Sequence, residues 1–245
     1  MGIVAIAPKD KPKSHNPVYY TGGGVYAGFL LRIGSTMERL VNLSIVIIAG
    51  AAEMTVAEAL AQVINLDHRN VGITPVAPRV PEPGVIYCPL TLDLPDTFPA
   101  IYRHCRDRPA QRAWVATTLN YPTGEGDLWL PVIWTAKGPL YGEAIAPEQT
   151  PAQPFHLKDQ RRQPLYALAY QLLRHYEAIP SVYMLKFALG EQDIIFDHLI
   201  PFPNPAALGS VGIQTPDLPT CHWLCLSEQP IRDVVISNSL AEINR

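Results

Sequence analysis

The stretch of sequence that decides the fold is SVYMLKFALGEQDIIFDHLI, which runs from Ser181 to Ile200. Two apolar runs, Ser181–Leu189 and Ile194–Ile200, lie on either side of the polar tetrad Gly190–Asp193. Runs rich in β-branched and aromatic residues that are separated by a short glycine-bearing turn are typical of a β-hairpin. We therefore predict two antiparallel strands here.

A long amphipathic helix precedes this hairpin. Within Gln160–Ala178, apolar side chains recur three and four residues apart, which is the spacing of one face of an α-helix. Further strands are predicted at Val85–Leu94, Arg112–Tyr121, Leu128–Thr135, Leu140–Ile145 and Thr220–Leu226, and a short helix at Phe98–Arg106. From residue 84 the order begins as βαββαβ, the ferredoxin-like order, with extra strands. Because hairpins dominate, the sequence predicts an α+β fold with a mainly antiparallel sheet.

The sequence of the N-terminal third predicts a separate, smaller α/β unit. Leu43–Ile48 is a β-branched, apolar run and predicts a buried strand. Thr55 and Glu58 form a capping box that predicts a helix over residues 55–66. The proline-rich segment 75–83 predicts an extended linker, which divides the chain into residues 1–74 and 84–245. The alternative is one domain, with the Leu43–Ile48 strand joining the main sheet.

Composition excludes several classes of protein. The 245 residues carry a net charge of −3, and the sequence pI is about 6.1. A nucleic-acid binder would usually be basic, so nucleic acid is an unfavoured partner. The longest apolar run, Leu43–Ala52, is shorter than the roughly 20 residues that a membrane span needs. Four cysteines are too few for a disulfide scaffold. We therefore expect a soluble, cytoplasmic protein without a membrane partner.

Two motifs suggest a cofactor or a metal, and both are incomplete. Gly22, Gly24 and Gly28 outline a dinucleotide-binding turn, but the strand before them would be only about four residues long and the last glycine interval is too long. The segment Cys221–Cys225 contains two thiols and an imidazole, but it lacks a second C-x-x-C or H-x-x-x-H partner. We therefore expect no cofactor and no metal.

The candidate site residues are concentrated between residues 197 and 225, on both sides of a proline-rich loop. Asp197 and His198 are the polar residues of an otherwise apolar strand, and strand alternation predicts that their side chains face opposite sides of the sheet. Asp217, Cys221 and His222 follow in the same third of the chain. These five residues could form one general acid–base or thiol site, or a structural polar network.

Low charge, many prolines (25 of 245 residues) and long loops lead us to expect a non-catalytic interaction, assembly or regulatory protein whose partner is another protein. One alternative is an enzyme with an acid–base or thiol site in its C-terminal third. Another is a nucleic-acid or nucleotide binder, in which the basic cluster Arg103–Arg112 would join a second one, Lys158–Arg162, on one face.

Overall fold

The structure is a computed structural model that describes residues 44–66, 71–146 and 154–236. The candidate dinucleotide-binding turn at Gly22, Gly24 and Gly28 lies outside these residues. The strands are β1 (Ser44–Ile48), β2 (Val71–Thr74), β3 (Val85–Pro89), β4 (Leu128–Thr135), β5 (Gly138–Tyr141), β6 (Ser181–Leu189), β7 (Ile194–Ile200), β8 (Gln214–Thr215) and β9 (Val235–Ile236). The α-helices are α1 (Met54–Leu66), α2 (Ala100–Arg106), α3 (Arg108–Trp114), α4 (Asp159–His175) and α5 (Leu218–Leu226).

A three-stranded parallel sheet has the strand order β2-β1-β3. The apolar strand β1 is at its centre, and Ile45, Ile47 and Ile48 are buried. Helix α1 connects β1 to β2, since two parallel strands need a crossover rather than a tight turn. The predicted strand and helix of the N-terminal third are therefore both present.

Strand β3 comes after the proline-rich segment 75–83 but pairs with β1, from Ser44 opposite Val85 to Ile48 opposite Pro89. The division predicted at 75–83 therefore separates two strands that share one ladder of hydrogen bonds. All described residues belong to one compact unit, Arg32–Arg245. Strand β1 thus lies in the parallel sheet together with β3, and the number of domains stays a prediction.

The main sheet is antiparallel, with the strand order β5-β4-β6-β7. The predicted hairpin at Ser181–Ile200 forms β6 and β7. Strand β6 also pairs with β4 along seven residues, from Leu128 opposite Phe187 to Trp134 opposite Ser181. Helix α4 buries the predicted apolar face, including Leu165, Leu168 and Leu172. The mixed α and β composition and the antiparallel main sheet are thus as predicted.

The finer prediction of a ferredoxin-like order is wrong. Strand β3 belongs to the parallel sheet, and the predicted strand Arg112–Tyr121 is helical, formed by α3 and a π-helical turn at Val115–Leu119. Asp107 explains the helix, because its side chain accepts a hydrogen bond from the Ala110 N–H and caps α3. The predicted strand Thr220–Leu226 is likewise helix α5, capped by Asp217.

Helices α2 and α3 pack on β7 through a buried glutamine. The Gln111 side-chain oxygen accepts a 2.7 Å hydrogen bond from the Leu199 N–H, and its nitrogen donates to the Cys105 carbonyl at 2.9 Å. These bonds hold α3 against β7, at the edge of the main sheet. The next residue, Arg112, is therefore within hydrogen-bonding distance of β7. None of the helices in the described part of the chain combines the length and the hydropathy that crossing a bilayer requires.

Candidate functional site

A β-bulge on β7 builds the centre of the candidate site. Lys186 pairs with His198, and the next residue of β6, Phe187, pairs with Phe196, so Asp197 is an extra residue on its strand. A bulge breaks the alternation of side chains and can redirect one of them. The prediction that Asp197 and His198 face opposite sides is therefore wrong: both are buried and their side chains meet.

Hydrogen-bond donors surround the Asp197 carboxylate, which is 1% exposed. Oδ1 accepts from Arg112 Nη2 at 2.5 Å and from His198 Nδ1 at 2.9 Å, while Oδ2 accepts from the Gly126 N–H at 3.0 Å. Burial alone would raise the pKa of Asp197, but the hydrogen bonds from His198, Arg112 and Gly126 outweigh it and lower that pKa. Asp197 is therefore a carboxylate at neutral pH.

Arg112 joins this centre to the neighbouring loop. Its Nε donates to the Asp197 carbonyl at 3.1 Å, and its Nη2 donates to Glu125 at 3.1 Å as well as to the Asp197 side chain. Gly126, in the same loop, passes so close to β6 that a Cβ there would lie 2.7 Å from the Phe187 backbone. Only glycine fits at this approach, which brings the Gly126 N–H to Asp197.

A hydrogen bond between Nδ1 and Asp197 orients the His198 imidazole. Its burial lowers its pKa, and repulsion from Arg108 and Lys186 adds to this, while Asp197 acts in the opposite sense. The neutral imidazole carries its proton on Nδ1, since that nitrogen donates to the carboxylate of Asp197. Nε2 then carries a lone pair that can accept a proton.

A row of three side chains crosses the sheet at this point, since Trp129 pairs with Lys186 and Lys186 with His198. The Lys186 ammonium lies 5.2 Å from the centroid of the Trp129 ring, and the His198 ring meets the Trp129 ring edge-on at 5.5 Å. Trp129 is 3% exposed, and its Nε1–H has no hydrogen-bond partner among the described residues. The row therefore contains a cation, a neutral base and a buried donor.

An open cleft of about 510 Å³ lies at the loop that carries Glu125 and Gly126. Its lining residues are Glu125, Gly126, Asp127, Leu128, Phe155, Ala188 and Leu189. Ala188 is two residues beyond Lys186 on β6, so its side chain projects from the same face of the sheet as the row. Glu125 and Gly126 connect the cleft to the Asp197 carboxylate through Arg112 and through the backbone.

Asp217, Cys221 and His222 form a separate group on α5. Asp217 caps that helix by accepting from the Thr220 N–H at 2.8 Å, and the Cys221 thiol donates to the Pro216 carbonyl at 3.4 Å. Burial raises the pKa of Cys221 to about 12, so its thiol is protonated at neutral pH and is a poor nucleophile.

His222, on α5, is fully buried against the first residues of β6. Its Nδ1 accepts a hydrogen bond from the Val182 N–H at 3.4 Å and lies 3.3 Å from the Ser181 hydroxyl. Burial lowers the pKa of His222 to about 3. Val182 is four residues from Lys186 along β6, a separation of about 13 Å. The structure thus brings Asp197 and His198 together in one place, and Asp217, Cys221 and His222 in another.

Sequence reasoning missed the partners of Asp197. Arg112 belongs to the basic cluster Arg103–Arg112 and Trp129 to a predicted strand, but nothing local links either residue to Asp197 or His198. The sequence places Gly126 in a loop and Lys186 in a strand, and it indicates no contact of either residue with Asp197 or His198. Within the ranges that the structure describes, no three His, Cys, Asp or Glu side chains are grouped so as to hold a metal ion.

No protein-family model matches the chain, and no curated protein matches it. Solved structures do match. The chain is similar to glycinamide-RNase-transformylase T from Mycobacterium tuberculosis, with a TM-score of 0.60 at 14% identity over 77% of this chain and 80% of that one. It is also similar to N5-carboxyaminoimidazole ribonucleotide synthetase from Thermotoga maritima, with a TM-score of 0.63 at 10% identity over 79% and 78%.

A third similar structure is carboxyaminoimidazole ribonucleotide synthase from Aspergillus clavatus complexed with ATP, with a TM-score of 0.60 at 8% identity over 78% of each chain. These similarities show that the chain shares the fold of these structures rather than having a ferredoxin-like one.

The fold corrects two expectations from the sequence. The expectation of a non-catalytic interaction, assembly or regulatory protein is wrong, because the solved structures that share this fold are a transformylase and synthetases. The expected protein partner is also wrong, since the same structures include complexes with ATP and ADP, which are small molecules. Low charge and abundant proline misled the prediction because neither property reports on a catalytic site.

Proposed function

We propose that this chain is an ATP-dependent enzyme that acts on a small molecule, with its reactive centre at Asp197 and His198. The observation that carries the proposal is the similarity of fold, over more than three quarters of the chain, to a synthase complexed with ATP. The proposal combines two of the alternatives drawn from the sequence, an enzyme with an acid–base site and a nucleotide binder. We retain the predicted cytoplasmic location as part of the proposal.

His198 is assigned the role of general base. Asp197 accepts the Nδ1 proton and so keeps the Nε2 lone pair available, and Arg112 keeps Asp197 ionised. A neutral imidazole can remove the proton of an attacking amine or hydroxyl group as a bond to an activated centre forms. Burial favours the neutral form, so the base is active at neutral pH.

The cleft at the Glu125–Gly126 loop is assigned to the substrates. It adjoins the Asp197 cluster through Glu125 and Gly126, and its volume of about 510 Å³ lies in the range of small-molecule sites, roughly 300–1,000 Å³. Its lining combines apolar side chains, such as Phe155 and Leu189, with the carboxylates of Glu125 and Asp127. That mixture suits a ligand with an apolar ring and polar substituents.

The proposal is tested by isothermal titration with ATP and by measuring the release of ADP from ATP. The variant is His198→Asn, whose amide can still donate to Asp197 but has no equivalent of the Nε2 lone pair. We expect ATP to bind both proteins with similar affinity, and ADP release to fall by about 10²–10⁴-fold in the variant.

His104→Asn is the matched control, because His104 is an exposed residue of α2. It should leave both binding and ADP release unchanged. Failure of the wild-type protein to bind ATP at millimolar concentration would refute an ATP-dependent function. ATP binding with undiminished ADP release in His198→Asn would remove the catalytic role from His198.

A further inference from the structure

We propose that Glu125 is a positioning residue, which acts on His198 through Arg112 and Asp197 and so couples the cleft to the general base; this inference rests on the proposed function. Glu125 lines the cleft, whereas His198 does not. Three consecutive hydrogen bonds, by way of Arg112 and Asp197, join the two residues. An event at the cleft can therefore reach the imidazole without contact between His198 and the ligand.

A single nitrogen of Arg112 donates to both carboxylates. Its Nη2 lies 3.1 Å from Glu125 Oε1 and 2.5 Å from Asp197 Oδ1, and its Nε holds the guanidinium on β7 by donating to the Asp197 carbonyl. The hydrogen bonds to Asp197 and to Glu125 both raise the pKa of Arg112, so both acids stabilise its charged form. Because the donor is shared, loss of Glu125 as an acceptor leaves more of the Arg112 charge directed at Asp197.

The Asp197 oxygen that accepts from Arg112 is also the one that accepts from His198. Oδ1 lies 2.9 Å from His198 Nδ1. A carboxylate oxygen that Arg112 neutralises more fully is a weaker acceptor for the Nδ1 proton and a weaker counter-charge for the imidazolium. His198 is thus more basic while Glu125 holds Arg112, and less basic once Glu125 is withdrawn.

Glu125 is free to exchange partners. Its side chain is 89% exposed, whereas that of Asp197 is 2% exposed. Exposed ion pairs contribute little to stability, so Glu125 can leave Arg112 for a group of a bound ligand at small cost. A ligand that engages Glu125 in the cleft then changes the charge that Arg112 directs at Asp197, and with it the basicity of His198.

Other charged groups also face His198, and they stay constant in the test. Strand β6, strand β7 and helix α3 supply them, and they are Lys186, Asp197, Arg108 and Arg112. From β4 the His198 ring meets only Trp129, which does not titrate. A substitution confined to residue 125 leaves all of these groups in place.

The experiment is an NMR titration of the histidine Cε1 resonances of the full-length protein at low ionic strength, where salt screens the exposed pair least. His198→Asn identifies the His198 signal among those of the seven histidines. Glu125→Gln should lower the titration midpoint of His198. Asp127→Asn is the matched control, because it removes the same charge from the same loop and cleft, while Arg112 donates to Glu125 instead. It should leave the midpoint unchanged.

Arg112→Gln distinguishes an effect carried by Arg112 from a direct one. It should raise the midpoint of His198, since Asp197 loses its cation, and in this background Glu125→Gln should no longer shift it. Equal shifts from Glu125→Gln with and without Arg112, or equal shifts from Glu125→Gln and Asp127→Asn, would overturn the inference. If circular dichroism shows that Arg112→Gln does not fold, the comparison with Asp127→Asn decides alone.

The pH profile of ADP release is the second measurement. The acidic limb of that profile should move to lower pH in Glu125→Gln, because a less basic His198 stays neutral further into the acidic range. An unmoved limb would overturn the coupling while leaving the ATP-dependent function intact. The NMR titration needs no ATP, so a protein that binds no ATP would refute the proposed function without affecting the measured coupling between Glu125 and His198.

Discussion

At the scale of single residues, the site depends on one extra residue in a strand. Asp197 interrupts the pairing of β6 with β7, and the interruption lets its carboxylate meet both His198 and Arg112. In a regular strand the side chains of residues 197 and 198 would point to opposite faces. The bulge therefore turns two isolated polar groups of an apolar strand into a linked acid and base.

The second buried histidine, His222, makes stability depend on pH. Its folded-state pKa is about 3, whereas the ordinary value is 6.5. Above pH 6.5 neither the folded nor the unfolded state binds this proton, so it does not affect the free energy of unfolding. Below pH 6.5 the unfolded state binds the proton and the folded state does not, so stability falls as pH falls, by up to ~1.4 kcal/mol per pH unit.

We therefore expect His222→Asn, which keeps an acceptor for the Val182 N–H, to lose less stability than the wild-type protein when the pH is lowered from 7 to 5. Urea unfolding at a series of pH values measures this slope. His156→Asn, which replaces an exposed imidazole, is the control and should have the wild-type slope. Equal slopes for His222→Asn and wild type would show that His222 is not kept neutral by burial.

At the scale of elements, capping residues decide between helix and strand. Asp107 and Asp217 each accept a hydrogen bond from the N–H three residues later, and each begins a helix, α3 or α5, in a segment whose composition predicts a strand. Pro109 and Pro219 stand in the first turns of these helices, where proline is tolerated. Cap and proline are reinforced by burial, since α3 buries Gln111 and α5 buries apolar side chains such as Leu218 and Trp223.

Helix α4 provides the stability test at this scale. Leu168 is fully buried on its apolar face, so Leu168→Ala should lower the free energy of unfolding by about 2–5 kcal/mol. Gln171→Ala, one turn away on the exposed face, should change it by less than about 0.5 kcal/mol. Urea unfolding compares the two variants. A similar small change in both would mean that the helix does not pack on its Leu168 face.

At the scale of the whole molecule, the parallel sheet spans the proline-rich segment. Five residue pairs join β1 to β3, and helix α5 packs on α1 as well as on β4 and β6 of the main sheet. The two-unit organisation with a boundary at residues 75–83 stays a prediction. Limited proteolysis distinguishes it from the single-domain alternative, because Arg79 in this segment is exposed and can be cleaved by trypsin.

After cleavage at Arg79 we expect the two fragments to remain together in size-exclusion chromatography and to separate only in denaturant, since the β1–β3 ladder still connects them. Arg79→Gln removes the cleavage site and is the control for cutting elsewhere. A folded C-terminal fragment that elutes alone would instead support the division into residues 1–74 and 84–245.

The sequence by itself determined the elements whose signals are local. The β6–β7 hairpin, the apolar face of α4, the buried strand β1 and the capped helix α1 all follow from periodicity and turn chemistry within about twenty residues. It also indicated Asp197 and His198 as residues of interest, because polar groups inside an apolar strand need partners.

Only the tertiary structure decided which partners these residues have. Arg112 is 85 positions from Asp197 in the chain and Gly126 is 71, and each paired residue of β3 lies 41 positions after its partner on β1. Such contacts leave no periodic trace, because they depend on how α3 and the residue 124–127 loop dock on β7 rather than on the residues beside each partner. The bulge at Asp197 also depends on distant residues, because Lys186 and Phe187 on the facing strand β6 set its register. The sequence of β7 alone does not contain that information.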